Sequence, residues 1–457
     1  MFIDDYDVVV SNPPYLGSAK MEDTLKQFIK DNFKSSQDLY TAFIERCLEL
    51  ADNGGYVTMV TPENFMFLSS YEGVRENLVS DTQIIEGAHV SRYGFDQAKD
   101  SYTIPFVLRN KDPSDFTSSR FYRMTHNQKE YAHYEDKIRG LKSITKANRR
   151  GETHSDVYSV DQNSFKDIDG YPFVYWFGNE VLSLFQKHPK LGENEISRIS
   201  GGIKSGDNPH FLRKYWEIPE SWIGESHRWF VKGGDGNDFY DKIDMTIRWE
   251  DGGQNIIEYC EEHGKNYQGL SNTEWYSEES ITFRDFSNIF VAKRLPKDTM
   301  FSSSVYRIKP NTVSEPYLLG YMNSTLFRYL ADAMNPSMNF KPSDAGAVPI
   351  DTNIPSEEEE KIGSLVRKCI KKRKGIFRRI ESGRDFNGEY LISVYEDECK
   401  YPLYDDELKL SDLLILHGKL DDIIFYLYSV PSRIKQRIYD DFYENLTTYT
   451  HITNAGS

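Results

Sequence analysis

Alternation of apolar and polar positions over the first 110 residues predicts strands and helices in turn. Tyr6 to Ser11 (YDVVVS) is a β-branched run with acids before it and Asn-Pro-Pro behind it, the pattern of a buried strand. From Ser36 to Asp52 the apolar residues Leu39, Ala42, Phe43, Cys47, Leu48 and Leu50 recur at helical spacing, and Asn53-Gly54-Gly55 marks a stop. Tyr56 to Val60 predicts a second buried strand, Tyr71 to Val79 a helix, and Thr82 to Gly87 and Thr103 to Arg109 further strands. The alternation points to an α/β fold, a mainly parallel sheet with an antiparallel finish. Two or three strands before Lys111-Asp112-Pro113 make only a partial doubly wound sheet. Either another polypeptide supplies strands, or the chain is part of a longer one.

Beyond that point the pattern changes. Residues 113–165 are polar and partly helical and predict a connector. Residues 166–350 are richer in Trp, Tyr, Phe and Gly, with strand signals at Ile196 to Ile199, Ile281 to Phe283 and Phe290 to Lys293, which predicts a separate α+β domain. From 351 to 457 long charged helices dominate, with apolar spacing at Leu413, Leu414, Leu416, Leu420, Ile423, Ile424 and Leu427. The expected organisation is therefore 1–112, 113–165, 166–350 and 351–457.

Composition narrows the class. Of 457 residues, 39% are hydrophobic and 28% charged, a globular balance. No apolar run approaches the roughly 20 residues that span a bilayer, so no membrane role is expected. Cys47, Cys260, Cys369 and Cys399 share no close spacing, which predicts neither a disulfide framework nor a zinc site and fits a reduced, cytoplasmic setting. The net charge of -16 argues against non-specific coating of nucleic acid, but charge is uneven along the chain. Residues 118–150 carry nine Lys/Arg against three acids, and residues 361–380 carry nine and no acid. The second run, KKRKGIFRRI, is a candidate for meeting an anion or an acidic protein surface.

One motif carries sharp chemistry. Ser11-Asn12-Pro13-Pro14-Tyr15 stands at the C-terminal end of a predicted strand, where open α/β sheets bind ligands. An amine conjugated to a base ring is a poor nucleophile because its lone pair is delocalised. The Asn12 side-chain carbonyl and the Pro13 backbone carbonyl can accept its two hydrogens, drawing the nitrogen toward tetrahedral geometry and aiming a lone pair at an electrophilic methyl group. Pro13 and Pro14 fix φ and remove competing N–H groups. Tyr15 offers a face for a base flipped out of its duplex. The plain alternative is an ordinary strand-ending turn.

These residues, Asp7 to Tyr15, resemble the catalytic motif of gamma-class DNA adenine methyltransferases. Asp38 to Phe65 resembles that family's next segment, and Tyr93-Gly94-Phe95 with SYTIPFVLRN is similar to its hairpin. Phe95 is thereby implied as a second aromatic on the flipped base, with core packing as the alternative. Gly201 to Asn208 with Phe211 and Leu212, then Leu318 to Ser324, Asn335-Pro336 and Val348-Pro349-Ile350, resemble the target-recognition domain. Together they look most like the PglX type of BREX phage-defence systems. The resemblance implies a Rossmann-like methyltransferase sheet at 1–112, a recognition domain at 166–350 and a C-terminal helical region. It implies methyl transfer from S-adenosylmethionine to a flipped adenine in double-stranded DNA. Lys204, Ser205 and Asn208 are candidate DNA contacts.

The family's Phe-x-Gly-x-Gly cofactor loop, and the acid after its next strand, lie ahead of the Asn-Pro-Pro-Tyr strand. That strand opens this chain, so cofactor-binding residues are not identified here. The isolated chain is expected to have little or no activity, with a separate N-terminal half and other defence-system subunits as partners. The competing expectation is a non-catalytic DNA-binding or assembly subunit of a restriction-modification or BREX complex. Other patterns carry less. Gly202-Ile203-Lys204-Ser205 lacks phosphate-loop spacing. Asp115 with Glu135-Asp136-Lys137 fits a nuclease only by force, and His188, His210 and His263 have no metal-ligand spacing. Trp216, Trp222, Trp229, Trp249 and Trp275 are expected in core and strand packing.

Overall fold

The computed structural model describes residues 6–95, 101–125, 131–233, 236–265, 276, 278–287, 289–335, 339–377, 384–385 and 402–441, the last segment by backbone alone over 402–411. Trp275 and Pro336 lie outside the described residues. The chain forms two compact units, residues 1–187 with 439–457, and residues 188–438. The boundaries expected at 112 and 165 both fall within the first unit, and the one expected at 350 falls within the second.

The first unit is built on a six-stranded sheet. Its strands are β1 (Tyr6–Ser11), β2 (Ala51–Pro62), β3 (Gln83–His89), β4 (Thr103–Arg109), β5 (Ser118–Arg123) and β6 (Val157–Asp161), in the order β1-β2-β4-β3-β5-β6. β1 runs parallel to β2 and β3 to β5, while β4 lies antiparallel between β2 and β3, and β6 closes antiparallel on β5. This is the partial doubly wound α/β sheet that the sequence predicts, extended by two strands from the expected connector. β5 and β6 carry no apolar run. Only Ser119 and Phe121 of β5 are fully buried, and pairing with β3, rather than propensity, makes it a strand. The helices are α1 (Asp23–Asn32), α2 (Leu39–Leu50), α3 (Glu72–Asp81), α4 (Tyr134–Arg150) and α5 (Asn179–Lys187). α2 ends at Leu50, ahead of the expected stop, and Gly54, at φ +86°, sits in the irregular opening of β2.

β1 departs from its expected burial. Its only partner among the described residues is β2, so it forms the sheet's edge, and Val8 and Val10 are 56% and 74% exposed. The sequence of a strand covered on both faces therefore stands with one face and one rim in water, while α2 packs against it.

Two buried polar side chains fasten the helices to this sheet. Arg75 on α3 donates to the carbonyls of Gly170, Phe65 and Leu68, and burial lowers its pKa to about 10. Gln162, fully buried, accepts from the Ile84 N–H and donates to the carbonyls of Leu78, Val79 and Thr82 at the end of α3.

The second unit holds two four-stranded sheets. One is β13 (Thr299–Phe301), β9 (His227–Val231), β10 (Met245–Arg248) and β8 (Leu212–Lys214) in that order. The other is β12 (Ala292–Leu295), β11 (Ser280–Arg284), β14 (Val305–Pro310) and β7 (Ser197–Gly201). A core including Ile203, Phe211, Phe230, Ile247, Phe301 and Val305 draws on both sheets. Short α6 (Asn208–Phe211) and α7 (Gln254–Glu262) flank it. They are followed by α8 (Glu315–Asn323), α9 (Thr325–Met334), α10 (Pro342–Gly346), α11 (Ser356–Phe377) and α12 (Pro402–Leu427). The 351–457 region thus contributes helices that pack with α8 and α9 inside this unit.

Side-chain polar joints bind helices to strands here. Asn323, at the end of α8 and fully buried, accepts from the Ala292 N–H at 3.0 Å and donates to the Ala292 carbonyl at 2.8 Å, extending β12 as a neighbouring strand would. Asp421 of α12 caps α9 through the Thr325 N–H and hydroxyl. Asp238 receives Arg373 of α11 at 2.5 Å, His417 of α12 at 2.9 Å and Arg328 of α9 at 3.3 Å. Burial alone would raise the Asp238 carboxyl. The hydrogen bond and charge of His417, with Arg373 and Arg328 beside it, instead hold it well below the usual carboxylate range.

The basic run of α11 is spent partly in the same way. Arg373 meets Asp238, Lys372 pairs with Asp412, and Lys374 lies over the Tyr240 ring at 4.6 Å. Of the two expectations for KKRKGIFRRI, these three residues follow contact with protein acids and rings. The tryptophans split: Trp216 and Trp222 are exposed, contrary to the expected core packing, whereas Trp249 packs edge-on against Tyr276.

Candidate active site

β1 delivers the Asn-Pro-Pro-Tyr segment to the sheet's C-terminal end. Asn12 is exposed and Pro13 is buried, so the segment is anchored at Pro13 while the Asn12 amide stands in solvent. The chain is then pinned to the start of α2. Leu16 N–H donates to the Asp38 carboxylate at 3.1 Å, Leu39 N–H donates back to the Leu16 carbonyl, and Asp38 caps α2.

Tyr15 is 41% exposed. Its hydroxyl reaches Asn12 Oδ1 at 3.3 Å and the Val60 carbonyl at 3.1 Å, and its ring stands edge-on to Tyr40 at 6.3 Å. Tyr40 continues into a seam of Phe65, Phe106 and Phe173, which gives Tyr15 a rigid aromatic footing. Burial raises the Tyr15 phenol, which keeps it a neutral donor.

Phe95 follows β3, which runs in the same direction as β1 and β2, so both aromatics leave the sheet at the same end. It closes the turn Ser91–Phe95 and is 37% exposed, unlike a core phenylalanine. Ser91 and Tyr93 have φ of +52° and +62°, and a Cβ on Gly94 would come within 2.5 Å of Val90 Cγ2, so a side chain there would have to displace Val90.

Sequence reasoning missed the polar cluster beneath this turn. Glu63 leaves β2 with one carboxylate oxygen 3.0 Å from His89 Nε2 and the other accepting from the Ser91 hydroxyl at 3.2 Å. His89 Nδ1 lies 2.9 Å from the Tyr175 hydroxyl. Lys137 of α4 donates to the carbonyls of Val90 and Met124. Burial lowers its pKa to about 8, against the pull of Glu63 and Asp136. The forced nuclease pattern dissolves here, because Lys137 is committed to those carbonyls and Asp136 to the start of α4. The one available signal was Pro62-Glu63, an acid placed at a strand end.

In the second unit, Gly201 to Asn208 make a tight turn after β7. A Cβ on Gly202 would meet the Phe301 carbonyl at 2.1 Å, and Gly206 has φ +71°. Lys204 and Asn208 are exposed. Ser205 is not offered to solvent: it is buried, and its hydroxyl donates to Asn208 Oδ1 at 2.5 Å. Asp207 caps α6. The motifs around Leu318 to Ser324 and Val348 to Ile350 are internal joints. Asn323 bonds Ala292, and the Tyr321 hydroxyl donates to the Pro349 carbonyl at 2.6 Å.

Residues 2–95 match the Eco57I restriction-modification methylase family. The chain is 28% identical over 436 residues to the adenine-specific methyltransferase BrxX of Escherichia coli O9:H4 (strain HS), covering 92% of this chain and 34% of that protein. It is 27% identical over 355 residues to the adenine-specific methyltransferase PglX of Lacticaseibacillus casei (strain Zhang), covering 74% and 28%. The resemblance to PglX-type adenine methyltransferases thus extends along most of the chain, which spans about a third of the length of these relatives. In fold it is similar to the Type IIL restriction-modification enzyme MmeI solved in complex with DNA, at TM-score 0.57 and 14% identity, over 97% of this chain and 57% of that one. No helix among the described residues is long and apolar enough to cross a membrane.

Proposed function

We propose that this chain carries the amine-activating and target-recognition parts of a site-specific DNA adenine methyltransferase that acts in the cytoplasm in phage defence. The observation that carries the reading is the exposed Asn12 amide beside buried Pro13 and half-exposed Tyr15, at the sheet end where ligands bind. Asn12 Oδ1 and the Pro13 carbonyl accept the two hydrogens of the adenine amine. As that nitrogen gains positive charge, the two acceptor oxygens offset it. The Tyr15 hydroxyl yields Asn12 Oδ1 to the amine, and its ring, with Phe95, stacks on the flipped base.

The described residues do not by themselves cradle S-adenosylmethionine. Among the described residues β1 is an edge, with Val8 and Val10 in water on that side of the site. The same bare edge supports a partner segment that pairs along β1 and brings the cofactor-binding residues, whether in the same polypeptide or another. An assembly including such a segment is expected to methylate duplex DNA from labelled methyl donor, with N6-methyladenine in the digested product. The described chain alone is expected to show little transfer. DNA binding without transfer by that full assembly would refute the reading in favour of a non-catalytic subunit.

In the second unit, Lys204 and Asn208 are the proposed DNA contacts, with Ser205 orienting Asn208 from within. Lys204→Ala is expected to weaken binding about equally across sequences. It should also reduce the slope of log K against log salt by about one, as for one lost phosphate contact. Fluorescence anisotropy of labelled duplexes at several salt concentrations measures both, and an unchanged slope would remove Lys204 from the interface.

A further inference from the structure

We infer that Glu63 is a positioning residue: with Lys137 and His89 it fixes the Ser91–Phe95 turn, and through it the placing of Phe95 at the Asn12 end of the sheet. The inference rests on the reading above for what the turn does, and on the hydrogen bonds alone for what holds it.

Glu63 is tied to three strands at once. It follows β2, its N–H donates to the Tyr102 carbonyl just before β4 at 3.0 Å, and its carboxylate spans His89 at the end of β3 and Ser91 beyond it. Lys137 grips the carbonyl of Val90, the residue between them, and that of Met124 just after β5. The turn's root is therefore held at a carbonyl and the adjacent hydroxyl by groups of opposite charge, both sheltered from water. His89 is fixed from its far side by Tyr175, which is stacked on Phe121 at 4.3 Å and 8°.

A carboxylate and an ammonium are costly things to bury, and an apolar pair would join these strands at least as firmly. What an apolar pair cannot do is hold a carbonyl and a hydroxyl of this turn in an unfavourable backbone path. Ser91 and Tyr93 both lie in the left-handed region, a conformation that persists only where the surroundings over-determine it. The polar cluster sits where that determination is needed. The simpler alternative, a staple between β2 and β3, would use the Glu63–His89 contact and make nothing of Ser91.

Ser91→Ala separates the two, since it cuts the branch to the turn and leaves Glu63, His89 and Lys137 in place. Amide hydrogen exchange of the full chain, followed by mass spectrometry, is the readout. Peptides covering residues 90–95 are expected to exchange about tenfold faster in Ser91→Ala, and at least as fast in Glu63→Ala, while Val57–Val60 and Ile104–Leu108 keep their protection. Unchanged exchange at 90–95 in both variants would overturn the inference. So would equal acceleration across β2 and β4, because Glu63 would then be a core residue only. In an assembly that methylates DNA, Ser91→Ala is expected to lower kcat about tenfold with KM for the methyl donor unchanged. A loosened turn with unaltered kcat would support the anchoring and sink the assignment of Phe95 to the base, so the two failures are distinct.

Discussion

Asn12→Ala in an assembly competent for transfer is expected to lower the methylation rate by about 10²–10³-fold while leaving DNA affinity within about twofold. The size follows from what is removed. Of the two acceptors proposed for the amine hydrogens, Asn12 Oδ1 is the side-chain one. Without it the nitrogen keeps its lone pair in the ring and develops positive charge unsupported. The loss falls on the transition state, because an adenine already flipped into the site is held mainly by stacking on aromatic faces. The substitution is also structurally mild. Asn12 is exposed, its only bond given by the structure is the long contact from Tyr15, and Tyr15 retains the Val60 carbonyl. Quantifying N6-methyladenine alongside anisotropy of the same DNA separates the two effects. Undiminished transfer would remove the chemical assignment altogether.

The second large effect concerns folding. Asp238→Asn is expected to destabilise the second unit by about 3–5 kcal/mol, because it leaves Arg328 and Arg373 in the interior without their counter-charge. The carboxyl gathers side chains from α9, α11 and α12, so its loss weakens the attachment of all three together. The sign of the pH dependence follows from its lowered pKa. Its contribution is fully present above the ordinary aspartate value of 3.8 and drains as pH falls below it toward the folded value. Urea unfolding curves of the two proteins should differ most at neutral pH and converge in strong acid. Coincident midpoints at pH 7 would show that Arg328 and Arg373 find other partners.

The parts of the fold that were legible in the sequence are those with a local cause. Val8-Val9-Val10 and Val57 to Val60 read as strands because β-branched residues favour that geometry, and Leu39 to Leu50 reads as a helix through its apolar spacing. β5 and β6 did not, since their strand state comes from pairing with partners distant in sequence. Burial was less legible than element type. The exposure of Val8 and Val10 depends on which neighbour lies beyond β1, and no local pattern reports that. At the candidate site, Asn12 to Tyr15 were legible because a strand, two prolines and an aromatic are contiguous. Glu63, His89, Lys137 and Tyr175 come from four distant segments, and apart from the strand-end Pro62-Glu63 they carry no signal singly. The segments near Asn323 and Pro349 resemble those of a recognition domain, and in the structure they are internal joints of the second unit.

The rim of β1, unpaired among the described residues, has a consequence for any strand that joins it. Any segment that zips along it would dehydrate Val8 and Val10, worth about 1.5–3 kcal/mol for each side chain fully covered, and bring its own residues alongside Asn12 in the same motion. Maturation of the fold and creation of the methyl-donor compartment would then be one thermodynamic event.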